Sequence, residues 1–408
     1  MSTLPITEAE SVSTQQPPTA RSDAPLLICL PSLTAEGLQT MRDRIAAALP
    51  GQSLLIATPD VLEEKDSNGD ITMLNLAAAT ASDAGWALTA SDYAAASHLA
   101  VEHHAAAVLI LGAEALSLSD FGLLGLADAV LAGKTDLALP RYKTGPHDAL
   151  LSSALLYPLT NALFGIKAHL PLPLDVAFSP RMATRFTIAR KPDAASQGSS
   201  LIWPVSEAAT LAFVVREVEA GERTLPQPTE TDLNSLLAEI VGSLFNDIEA
   251  KASFWQRARP AIPVKPNIEP ARTITEIENL EDIREMAESF HNAYTNLQEI
   301  WSLVLPPQSL LGLKKVSRTP AEDFEMPTDL WARTVYDFVL AYHFRTINRG
   351  HLLGALTPLY LAWIASHLRK SAGDTALAAF HVEETAAAFV SEKPYIVARW
   401  RWPDRFNP

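Results

Sequence analysis

Ala105-Ala106-Ala107-Val108-Leu109-Ile110-Leu111-Gly112-Ala113-Glu114 is the stretch on which the fold turns. Its first seven residues are apolar, branched at Val108 and Ile110, and too few for an ordinary helix, which predicts a strand buried on both faces. Beyond a Ser-Leu-Ser-Asp turn, residues 121–131 read as an apolar helix and 136–139 as a short strand running into Pro140-Arg141-Tyr142. A further helix over 150–164 leads to the loop Pro171-Leu172-Pro173-Leu174-Asp175-Val176-Ala177-Phe178-Ser179. This order places Glu114 and the Arg141-Tyr142 pair at the carboxyl ends of neighbouring parallel strands, the edge where open α/β sheets bind ligands.

Toward the N-terminus, 26–30 reads as a strand stopped by Pro31-Ser32, Thr34 caps a helix through Met41 and Ile45 to Leu49, and 53–57 forms a second strand ending at Thr58-Pro59-Asp60. This is a βαβ unit. A short strand over 71–76 and a helix from Ser91 with Ala94, Leu99 and Val101 on one side lead into the central strand. Past Trp203 and Leu211-Ala212-Phe213-Val214-Val215 comes Ala220-Gly221-Glu222-Arg223. From Thr231 the period changes: Leu233, Leu236, Leu237, Ile240, Val241, Leu244, Phe245 and Ile248 form a helical stripe. The proline-rich run 260–270 reads as a connector, and helices are expected over 283–301, 329–345, 351–368 and 376–390. The expected organisation is a disordered Ser/Thr/Pro/Gln-rich tail (1–23), an α/β domain (24–259), a linker (260–270) and a helical C-terminal domain (271–408).

With 408 residues, 48% hydrophobic and 19% charged, the composition is that of a globular protein with a large core. A net charge of -15 with no cluster of Lys and Arg excludes a nucleic-acid surface. The single cysteine, Cys29, has no internal disulfide partner and fits a reducing, cytoplasmic setting. Apolar stretches such as 355–368 fall short of the roughly 20 residues needed to span a bilayer.

A buried strand ending in an acid, a Pro-Arg-Tyr strand end, a helix running into Gly165-Ile166-Lys167, and Asp175 followed by Ser179 and Arg181 resemble the GT-A glycosyltransferases of the mannosylglycerate synthase and glucosyl-3-phosphoglycerate synthase type. Leu330-Trp331 with Val335-Tyr336, and Leu356-Thr357-Pro358-Leu359-Tyr360, continue the resemblance. It implies a GT-A-like (Rossmann-like) mixed sheet followed by helices, and transfer of a hexose from a nucleoside diphosphate sugar to a small hydroxyl acceptor. By the same resemblance Pro31, Ser32 and Asp60 hold base and ribose, Glu114 ends the Asp-x-Asp element that binds Mg²⁺ or Mn²⁺, and Arg141 and Tyr142 complete the sugar-nucleotide site. Asp175 then serves catalysis by orienting the acceptor or stabilising charge on the sugar, with Lys143, His147 and Asp148 at the acceptor.

The chain departs from that pattern at the metal. Gly112 stands where the first aspartate is expected, Ala90-Ser91-Asp92 lacks the phosphate-touching lysine, and no histidine lies between His169 and His291. Other readings therefore stay open: Asp60 as a turn residue, Glu114 as a helix cap, Asp175 as a cap in a rigid loop. So do a metal-free enzyme using Arg141, Lys143 or Arg223, and a catalytically degenerate relative that binds a sugar, a nucleotide or a protein. An oligomer is compatible with all of these. His343 and His351 are helix-face histidines that would reach the cleft if the helical domain folds over the sheet edge.

Overall fold

Eight strands form one mixed sheet in a computed structural model that describes residues 24–59, 64–65, 71–77, 87–189, 201–225, 233–257 and 280–401. They are β1 (Leu26–Cys29), β2 (Leu54–Thr58), β3 (Glu64–Lys65), β4 (Ile71–Asn75), β5 (Ala107–Leu111), β6 (Leu137–Tyr142), β7 (Asp175–Phe178) and β8 (Val215–Gly221), in the order β3-β4-β2-β1-β5-β7-β6-β8. The expected tail (1–23), Asp60 and the linker (260–270) lie outside the described residues.

β1 pairs in parallel with β2 on one side and β5 on the other, which is the predicted βαβ unit with the helix Ala35–Ala48 as its crossover. Thr34 stands at the N-cap of that helix, but its side chain makes no capping bond. The helix Ala90–Glu102 is capped instead by Thr89, which shares a reciprocal capping box with Asp92.

One expectation is corrected here. β6 is parallel to β5 but not its neighbour, because Asp175-Val176-Ala177-Phe178, expected as a loop, is a strand inserted antiparallel to both. Val176, Ala177 and Phe178 are fully buried, so the ladder is a core element. Four residues between prolines are too few for a period to declare itself. The reversal has a positional consequence: Asp175 opens its strand opposite Leu111, at the sheet edge where β5, β6 and β8 end.

The two faces of the sheet follow strand alternation. Ile28, Leu109 and Leu111 pack on one side against the helices Ala35–Ala48 and Asp120–Leu131. Cys29, Val108, Ile110 and Phe178 pack on the other against Ala90–Glu102 and Pro180–Ala189. A third core joins Trp301, Trp331, Tyr336, Trp363 and Phe389 of the C-terminal helices to Leu155–Phe164 and to Leu236, Ile240, Leu244 and Trp255. Packing therefore does not break at residue 259: three helices from the sheet half of the sequence, Tyr157–Phe164, Leu233–Ala250 and Ala252–Trp255, are built into the helical half. The expected helix over 283–301 is two, Leu280–Asn296 and Gln298–Val304.

One junction shows why the halves lock. Pro158 has no N–H to give to the carbonyl four residues back. A π-turn over Ser152–Leu156 precedes it, and the Trp331 indole N–H donates to the freed Ala154 carbonyl at 2.8 Å. Trp331→Phe keeps the ring but leaves that buried acceptor unpaired, which is expected to lower stability by about 1–3 kcal/mol in urea denaturation.

Candidate functional site

The carboxyl edge of the sheet is organised by a buried ion pair. Asp175 and the Arg223 side chain are both fully buried, with Arg223 Nε 2.8 Å from Asp175 Oδ2 and Nη2 3.1 Å from Oδ1. Tyr142 Oη donates to Asp175 Oδ2 at 2.5 Å, and the Gly112 N–H to Oδ1 at 3.1 Å. Burial, then the neighbouring Asp175 carboxylate, push the Tyr142 hydroxyl well above its ordinary pKa, so it stays protonated and donates. The remaining guanidinium N–H groups reach the carbonyls of Ala113 and Glu114 and the Ser117 hydroxyl. All five donors of Arg223 are engaged.

The knot bears on whether the residues at this edge fit a metal. At position 112 an added Cβ would lie 2.5 Å from the Leu174 carbonyl, so no side chain fits there without a shift of backbone. Glu114 is in the left-handed region (φ 58°) with its side chain exposed; its backbone carbonyl, not its carboxylate, joins the knot. Among the described residues no group of three His, Cys, Asp or Glu side chains is arranged to hold an ion. The described residues at this edge do not by themselves form a divalent-cation site, and the buried positive charge there is the Arg223 guanidinium. The same bonds withdraw Asp175, expected as catalytic, from any ligand.

The cleft itself lies beside the knot, between the ends of β6 and β8 and the helix Thr375–Arg401, with a volume of about 560 Å³. Arg141, Tyr142, Lys143 and Asp148 line it, as do His169, Phe121 and Glu383. Arg141 faces Glu219, and Lys143 faces Glu222, each at 3.7 Å and well exposed. Exposed pairs of this kind are worth about 0–1 kcal/mol, so both cations are available to an anionic ligand. Asp148 accepts from the Gly145 N–H at 2.7 Å and so shapes the loop beneath them. Phe121 is 66% exposed, an aromatic face at the rim.

His169 is held between two carboxylates at the wall of the cleft. Its Nδ1 lies 2.9 Å from Glu217 Oε2 and its Nε2 2.8 Å from Glu383 Oε1, and Tyr157 stacks on the ring at 4.5 Å. Burial opposes charge on the imidazole, but the bonds to Glu217 and Glu383 outweigh it and hold the pKa above 6.5. For Glu383 burial is likewise outweighed, by His169 and by Lys167 at 3.0 Å, which together bring it down to about 2. On the opposite wall His367 is pushed down to about 4, chiefly by burial, and is neutral.

With this geometry in place, comparison with known proteins gives the following. No protein-family model and no curated protein matches the sequence. Among solved structures, glucosyl-3-phosphoglycerate synthase from Mycobacterium tuberculosis, in complex with Mn²⁺, uridine diphosphate and phosphoglyceric acid, aligns at 14% identity over 55% of this chain and 78% of its own, with a TM-score of 0.36. A mannosyltransferase from Pyrobaculum calidifontis, in complex with GDP-Man and Mn²⁺, aligns at 9% identity over 96% of this chain and 92% of its own, with a TM-score of 0.34. At that depth of overlap neither protein's ligands transfer to this chain.

The expected site is thus divided. Arg141, Tyr142, Lys143 and Asp148 share the cleft; His147 lines an adjoining apolar pocket; Glu114 lines neither. Pro31 is half-buried and Ser32 exposed in the turn after β1, away from both. His343 stacks on Trp400 and faces Glu249, and His351 is exposed near a helix start, so neither reaches the cleft. His169, Glu383 and Phe121 were not singled out as site residues. The available signal was His169 itself, a polar residue placed just after Gly165-Ile166-Lys167 on the way back to the ligand edge.

Two outcomes are expected. Arg223→Met leaves the buried Asp175 carboxylate without its cation and should cost about 3–5 kcal/mol in urea denaturation, more than the roughly 1.5–3 kcal/mol expected for Tyr142→Phe. The His169 imidazolium contributes stability fully below pH 6.5 and loses it as pH rises through its raised value, while Glu383 contributes above pH 4.5 and loses it toward pH 2. Unfolding profiles of the native protein and His169→Gln should therefore converge as pH rises through the raised His169 value and separate most between pH 4.5 and 6.5.

Proposed function

We propose that the chain is a glycosyltransferase that moves a hexose from a nucleoside diphosphate sugar to a small, anionic hydroxyl acceptor without a divalent ion. The observation that carries this reading is the cleft at the carboxyl edge of β6 and β8, where the exposed cations Arg141 and Lys143 stand beside the His169 imidazolium. In the reaction the bond from the anomeric carbon to the diphosphate oxygen breaks and a bond to the acceptor hydroxyl oxygen forms. The electron pair leaves with the diphosphate and the hydroxyl proton passes to phosphate or solvent. Arg141, by its fork geometry, and Lys143 stabilise the departing charge, and Phe121 offers a face to the sugar or base. Asp175 acts as a positioning residue, since Arg223 and Tyr142 occupy its oxygens.

A second reading is favoured by that same occupation: with its best-placed carboxylate saturated, the cleft would bind a sugar or nucleotide without turning it over. Both are tested by calorimetric titration with UDP-glucose and GDP-mannose, in chelator and in Mn²⁺, followed by assay of diphosphate release with phosphoglyceric acid as acceptor. We expect binding in chelator, weakened about tenfold or more by Arg141→Ala and insensitive to Glu114→Ala. Binding without release selects the binding module. Binding that needs Mn²⁺, or none with either donor, removes the metal-free transferase.

A further inference from the structure

Beside the polar cleft lies a cavity of about 220 Å³ walled by leucines, among them Leu150, Leu151, Leu156, Leu172 and Leu236. A sealed apolar cavity of roughly 150 Å³ holds a benzene, so the volume here is enough for a short hydrocarbon chain. Leu150, Leu151, Leu225 and Leu233 around it are only half-buried, so it opens outward rather than being a sealed packing defect.

The two cavities meet, since Ala149 and Leu170 line both. Ala149 has a φ of 49°, a left-handed conformation that costs an L-residue about 1–2 kcal/mol. This strained residue sits where the loop carrying Asp148 into the cleft passes into the helix whose Leu150 and Leu151 line the pocket.

We propose that the leucine pocket takes the hydrocarbon chain of an amphiphilic acceptor, an aliphatic hydroxy acid, whose carboxylate and hydroxyl lie in the cleft with Arg141 and Lys143. This rests on the transferase reading and names its acceptor class. An anionic head complements the exposed cations, and the aliphatic chain accounts for an apolar cavity opening beside them. The transfer step is the one already balanced, with the hydroxy acid supplying the attacking oxygen.

The test is calorimetric titration of the full chain with 3-hydroxybutyrate, 3-hydroxyhexanoate, 3-hydroxyoctanoate and 3-hydroxydecanoate, each with and without UDP-glucose or GDP-mannose. Affinity should rise about fourfold for each added methylene until the pocket is full. Leu233→Trp should flatten the series, and Leu225→Glu provides the same test should the first variant fold poorly. Arg141→Ala should weaken every member by one factor while keeping the slope. A flat series in the native protein overturns the proposal. A steep series with no sugar-nucleotide binding overturns the transferase reading alone and leaves a hydrocarbon site.

Discussion

The buried pair between Arg223 and Asp175 holds the ligand edge of this sheet together. In a dry environment a carboxylate and a guanidinium are each costly to bury, and the cost is offset only when geometry and hydrogen bonding are complete. Here they are: two parallel bonds between the charges, with Tyr142 and Gly112 on the carboxylate and three further acceptors on the guanidinium. Through those bonds the ends of β5, β6 and β8 and the start of β7 are fixed relative to one another. Glu114 is held in its left-handed conformation by the same guanidinium.

A fixed internal cation changes the division of labour at the edge. Where a divalent ion would bind both protein and phosphate, the Arg223 guanidinium has no donor left for a ligand, so its charge organises the scaffold only. Charge for a ligand has to come from side chains that are loosely held, and Arg141 and Lys143 are of that kind. His169 serves differently again. It is braced on both nitrogens by carboxylates, one from β8 and one from the helix Thr375–Arg401, and so ties the sheet edge to the helical wall of the cleft.

What was legible in the sequence follows how far apart the interacting residues lie. β1, β2 and β5 and the βαβ unit were readable because strands buried on both faces announce themselves as continuous apolar runs. β7 was not, since four residues between prolines show no period and its pairing is decided by β5 and β6. The pairing of Asp175 with Arg223 was not legible, because the partner lies 48 positions on and only the fold joins them. Glu383, 214 positions from His169, carried no local signal at all. The apolar stripe of Leu233–Ala250 was read correctly as a helix, but not as part of the helical core beyond residue 259.

These separations bear on how such a site is held. The positive charge at the sheet edge is supplied by one residue, Arg223, anchored just past the end of β8 and paired with the first residue of β7. The Leu174 carbonyl closes over position 112, the Asp175 oxygens are occupied, and any side chain placed at 112 would meet backbone rather than solvent. Affinity for an anion that rests on exposed cations is screened by salt in a way that a buried ion contact is not. A ligand held at such an edge gains most from contacts that salt does not weaken, and apolar burial against Leu150, Leu151 and Leu236 beside the cleft is of that kind.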